Sequence, residues 1–165
     1  MLEACNLTRM RLSLVLLLFA ALVAPAAADE PAFTGPSGWS ASATNGAATD
    51  PAHAVMQWHL PGDTSASVTY LRTTASYDDS LAAIHTNFTT NKIKPSVDKD
   101  IPCLGKTAHL IEFSTGPDGH KVVIQRLLVP VSDGVVAITY ARATEDSVDP
   151  AVQQAETAYC ASTGS

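Results

Sequence analysis

Basic residues are few. The 165-residue chain carries 10 Lys and Arg against 16 Asp and Glu, a formal net charge of −6. No Lys/Arg cluster is interleaved with aromatics, so the chain lacks the electrostatic footprint of a nucleic-acid binder. Long apolar runs are missing too: Leu12 to Ala24 spans thirteen residues, too few to cross a hydrocarbon core of about 30 Å. Neither a phosphate-cradling glycine loop nor an H-E-x-x-H motif is present, and Gly35-Pro36-Ser37-Gly38 is not a G-x-S-x-G elbow. Cysteine is scarce, with three residues and no C-x-x-C pair, which excludes the usual way of lowering a thiol pKa.

What is there begins with an export signal. Arg9 and Arg11 precede the apolar run, and Pro25-Ala26-Ala27-Ala28 precedes Asp29-Glu30. A basic n-region, a short apolar h-region and an A-x-A site describe a secretory signal peptide over residues 1–28. Met10-Arg11 makes a cleaner start, which would make residues 1–9 an upstream-start artefact. No cysteine follows the h-region to take an amino-terminal lipid, and Cys5 leaves with the signal. Removing residues 1–28, and with them Glu3, Arg9 and Arg11, leaves 8 basic and 15 acidic residues, net −7, in a single domain over 29–165. Cys103 and Cys160 are then the two remaining cysteines of an exported chain, and an even count in an oxidising compartment reads as a disulfide.

The expected fold is α+β. Three β-rich runs over 106–142 are separated by Thr115-Gly116-Pro117-Asp118-Gly119 and Ser132-Asp133-Gly134, the punctuation of an antiparallel meander. His53 to Leu60 and Ala66 to Thr73 flank Pro61-Gly62-Asp63 as a further hairpin, and Ser40 to Gly46 has the weak propensity of a short edge strand. Together these predict a sheet of about five to six strands. An amphipathic helix over 76–91 starts with a capping box, Ser76 with Asp79, and presents Tyr77, Leu81, Ile84 and Phe88 on one face. A C-terminal helix over 150–161 starts at Asp149-Pro150 and carries Val152, Ala155 and Tyr159. Ser96 to Pro102 reads as a polar connector. Both alternating sets of the second meander run are apolar, Val123 and Leu127 against Val122, Ile124 and Leu128, so cover is expected on both faces.

Candidate chemistry is thin. His53 and His59, six residues apart in a strand, stand roughly 20 Å apart and cannot share a zinc ion. His85 falls on the exposed flank of the first helix, while His109 lies within a strand and His120 at a turn. Asp98 and Asp100 begin a D-x-D pattern, but the other ligands and the glycine of a calcium loop are missing. No metal and no cofactor is therefore expected. Ser96-x-x-Lys99, Lys106-Thr107-Ala108 and Ser132-Asp133-Gly134 echo the motifs of penicillin-interacting enzymes, in the wrong order and in too short a chain. Polar groups on an apolar meander need a partner or a purpose, which singles out His109, Glu112 and Arg126. Glu112 and Arg126 fall on neighbouring strands, with Arg126 expected near the Tyr140 ring. Trp39 is expected to anchor the entering segment on the core and to contribute to a contact surface.

Phe33-Thr34-Gly35-Pro36-Ser37-Gly38-Trp39, a Trp58 strand, a capped helix, a meander and a final helix resemble, in that order, the PsbP-like and DcrB-like group. The resemblance implies a helix-covered antiparallel sheet and an accessory or binding role, with no catalytic residues to carry over. The expectation is an exported accessory or binding protein of the bacterial envelope, not an enzyme. Its partner would be an envelope protein or a small ligand, with no nucleic acid and no membrane span after signal cleavage. The alternative is a small secreted hydrolase or redox enzyme whose site is assembled from distant residues.

Overall fold

The structure, a computed structural model, describes residues 31–43, 55–117 and 121–162. The signal peptide expected over residues 1–28, His53 and His120 lie outside the described residues. Among the described residues, β1 (Ser40–Ala43), β2 (Val55–His59), β3 (Ser67–Thr73), β4 (Val97–Cys103), β5 (Lys106–Thr115), β6 (Val122–Val131) and β7 (Gly134–Ala143) form one sheet. Its order is β1-β2-β3-β7-β6-β5-β4, and every pairing is antiparallel. The helices are α1 (Tyr77–Asn91) and α2 (Pro150–Ala161).

The α+β class holds, but the sheet has seven strands where five to six were expected. The added strand is β4, placed where the sequence reads as a connector. Its Val-Asp-Lys-Asp-Ile-Pro-Cys run is poor in β propensity because it forms a sheet edge, where charges and proline block further pairing. The turn into β5 passes through Leu104 and Gly105, both at positive φ (53° and 69°). That is the backbone of a two-residue hairpin loop, with leucine in place of the usual asparagine.

Strand alternation sorts the sheet into two faces. One carries Val68, Ala108, Leu127, Val129, Val136, Ile138 and Tyr140, the main core, closed by Val152 and Tyr159 of α2. The other carries His109, Ile111, Phe113, Arg126, Leu128 and Thr139, paired directly across β5, β6 and β7. Helix α1 crosses this second face on its way from β3 to the far edge. Ser76 Oγ accepts the Asp79 N–H at 3.1 Å to cap it, and Phe88, its one fully buried residue, meets Phe113 at 4.8 Å. It is lightly attached compared with α2, which the Cys103–Cys160 disulfide ties to the end of β4.

The N-terminal segment closes the main core. Phe33 sits among Trp58, Tyr70 and Tyr159, at ring-centroid distances of 5.3, 6.0 and 5.9 Å, and Trp39 lies edge-on to Tyr140 at 6.0 Å. Gly35 makes that docking possible. Its φ is +78°, and a Cβ there would fall 2.3 Å from the Trp58 ring. Gly35→Ala is expected to lower stability by about 2 kcal/mol, combining a left-handed backbone cost with overpacking. Urea unfolding measures this; an unchanged midpoint would mean that the segment contributes nothing to the core.

Candidate functional site

A concavity lies between α2 and the β4–β5 edge. Its volume is about 500 Å³, and it is lined by Ile101, Cys103, Leu110 and Leu127 from the sheet and Glu156 and Cys160 from the helix. The register puts Ile101, Cys103, Leu110 and Leu127 on one sheet face. On α2, Glu156 and Cys160 are four residues apart and share a helix face. The bond from Cys160 to Cys103, with the Leu104 N–H donated to the Cys160 carbonyl at 2.9 Å, holds that face over the sheet edge.

The cleft is mostly apolar; Glu156 is its one ionisable group and Thr157 its hydroxyl. Glu156 Oε2 accepts from Gln125 Nε2 at 2.8 Å, while its Oε1 is fully buried and meets no hydrogen-bond donor among the described residues. Burial pushes the carboxyl up to about 7, with the Gln125 bond pulling weakly the other way. Near neutrality it is poised between an acid that donates a proton and an anion with one oxygen unpartnered.

A second cluster lies on the opposite face, at the β4 edge. His109 is buried and places Nδ1 2.7 Å from Asp100 Oδ1 and Nε2 2.6 Å from Asp98 Oδ1. The D-x-D spacing explains this: alternate residues of β4 point to one face, and Asp100 pairs directly with His109. Burial works against the imidazolium, but its hydrogen bonds to Asp100 and Asp98 and their charges outweigh it, so the ring holds its proton above the ordinary histidine range. His85 approaches from α1, its Nδ1 3.8 Å from Asp98 Oδ2 and its ring 6.0 Å from that of His109. It is on the exposed flank of the helix, as expected, but that flank borders β4.

The four binding candidates read from the sequence do not converge. His109 and Arg126 share the α1 face, Glu112 lies on the other, and Trp39 is in the main core. Arg126 does not reach Tyr140; its Nε donates to Thr139 Oγ1 at 3.1 Å, and burial lowers its pKa. Arg142 is the arginine beside the Tyr140 ring, at 5.7 Å, and it donates from Nη2 to Glu112 Oε2 at 3.1 Å. Glu112 Oε1 accepts from Ser96 Oγ at 3.0 Å, so that carboxylate is occupied structurally. Sequence reading missed Glu156 altogether.

No protein-family model matches the chain. No curated protein matches it either. Among solved structures, it is similar to a Pseudomonas aeruginosa protein of unknown function, described as a candidate regulator, at 16% identity and a TM-score of 0.50. The match covers 66% of this chain and 85% of the other, and at that identity it speaks to the fold alone.

Proposed function

We propose that the chain is an exported binding protein of the bacterial envelope, without catalysis of its own, and that the cleft beneath α2 holds a small amphipathic ligand through Glu156. The observation that carries this reading is Glu156, which lines a largely apolar cleft and whose buried Oε1 meets no hydrogen-bond donor among the described residues. Leaving a buried carboxyl half-satisfied costs stability, and a ligand that donates a hydrogen bond or brings a cation removes that cost. The volume falls within the range of small-molecule sites, which combine apolar walls with a few polar groups. Export is supported by the n-region, h-region and A-x-A pattern at residues 1–28 and by the disulfide. The order of elements shared with the PsbP-like and DcrB-like group favours an accessory role over an enzyme.

The test is a comparison of hexylamine with hexanoate by calorimetry and thermal shift near pH 8, where Glu156 is mostly ionised. Hexylamine is expected to bind and raise Tm, hexanoate to do neither, and Glu156→Gln to erase the difference. Equal responses to the two probes, or an amine response that survives in Glu156→Gln, would overturn the reading.

A further inference from the structure

We propose that His85, Asp98 and His109 form a binding site for a divalent transition-metal ion, with zinc the best match, and that Asp100 is the carboxylate that orients His109 behind it. The site is on the α1 face and is independent of the cleft beneath α2. Ligand atoms of the three residues lie within 4.8 Å of one another. A tetrahedral zinc ion with bonds of about 2.0–2.2 Å holds its ligand atoms about 3.3–3.5 Å apart. The His85 Nδ1 to Asp98 Oδ2 separation of 3.8 Å and the His109 Nε2 to Asp98 Oδ1 separation of 2.6 Å bracket that value. Small side-chain rotations bring both to it.

The chemistry of the set selects the ion. Two imidazoles and one carboxylate suit zinc and its neighbours, whereas calcium and magnesium ask for oxygen ligands throughout. His109 Nδ1 is already engaged by Asp100 at 2.7 Å. A carboxylate on the far nitrogen of a metal-bound histidine fixes its tautomer and raises its basicity. The proton between His109 Nε2 and Asp98 is then what the metal displaces. An imidazolium held between two aspartates would be a complete structural clamp for β4 on β5, but such a clamp has no need of His85. His85 comes from a different element, and it turns a two-strand clamp into a three-element site. Its side chain and that of Asp98 are 45% and 33% exposed, so ions have access and a fourth position is left for water. The nearby charges are compatible: Asp100 adds a second negative charge, Tyr77 stays a neutral phenol, and Arg126, diagonal to His109 in the register, is turned toward Thr139.

The consequence is mechanical. Helix α1 buries only Phe88 fully, and an ion shared by His85, Asp98 and His109 would fasten it to the β4 edge. Untagged, chelator-treated protein titrated with Zn2+ at pH 8 is expected to bind one ion and to gain Tm, with no response to Mg2+ or Ca2+. Co2+ loading should give the intense visible absorption of a four-coordinate site. His85→Ala, an exposed position, should leave the fold intact by circular dichroism and weaken Zn2+ by at least about 100-fold, while Asp100→Asn should cost about 10–100-fold. Zn2+ affinity unchanged in both His85→Ala and Asp98→Asn would assign any binding to other histidines and overturn the proposal. So would the absence of a Zn2+ response in the parent protein. Neither outcome touches the amine test of the cleft.

Discussion

Replacing Cys103 and Cys160 together by alanine is expected to lower the unfolding free energy by about 4 kcal/mol, the chain-entropy value for a closed loop of this length. The bond spans 57 residues and encloses β5, β6, β7 and most of α2. Without it the unfolded chain regains the freedom that the cross-link removes. The folded chain also loses its hold on a helix of 12 residues, too short to persist by itself in water. Val152 and Tyr159 still anchor α2 on the core, so the helix should loosen from its C-terminal end, where Cys160 and the Leu104 N–H meet. Urea unfolding with the parent and the double variant gives the magnitude. Hydrogen exchange in the 155–161 segment gives the place. A loss below about 1 kcal/mol would show that the sheet constrains the unfolded ensemble already, or that the bond strains the native state enough to cancel its own benefit. The same variant reports on function, because α2 is one wall of the cleft and a loosened helix should lose hexylamine.

The meander was legible because its turns are punctuated by glycine, proline and aspartate and its strands by β-branched residues. Strand β4 was not. An edge strand buries little, so its Asp98, Lys99 and Asp100 show no apolar alternation, and Leu104 carries no sign of the left-handed turn it makes. Missing β4 had a second effect. A connector over Ser96–Pro102 gives Asp98 and Asp100 no common face and no reason to meet His109. Pairing information, not composition, brings them together. Glu156 escaped for a related reason. Helical periodicity marks Val152, Ala155 and Tyr159 as the buried stripe, and Glu156 falls on the flank of it. That flank faces Gln125 of β6 and the disulfide-tied end of β4, neighbours that the helix sequence itself does not reveal. Arg142 takes the place expected of Arg126 through strand register: Arg126 pairs with Thr139, one residue from Tyr140 and on the opposite face.

Glu156→Gln is expected to stabilise the protein by about 3 kcal/mol at pH 8 and to change it little below pH 4.5. The carboxyl titrates near 4.5 when unfolded and at about 7 when folded. The folded state therefore holds this proton more tightly, and its contribution is fully present below pH 4.5 and lost as the pH rises through 7. At 1.36 kcal/mol per pH unit the loss is about 3 kcal/mol. Glutamine keeps the bond to Gln125 and cannot ionise, so its stability curve should be flatter over this window. It will not be flat, because His109, also raised, has the same sign: its stabilisation is present below the ordinary histidine range and declines as the pH climbs through its folded value. Parallel curves for the parent and Glu156→Gln would mean that water reaches Oε1, and the cavity would then lose its claim to a ligand. If the curves diverge as expected, a carboxyl that weakens the fold near neutrality has a use that offsets its cost. A cationic ligand supplies one. By pairing with the ionised form it restores the lost stability, so the Tm gained from hexylamine should grow from pH 6 to pH 8 in the parent and stay small throughout in Glu156→Gln.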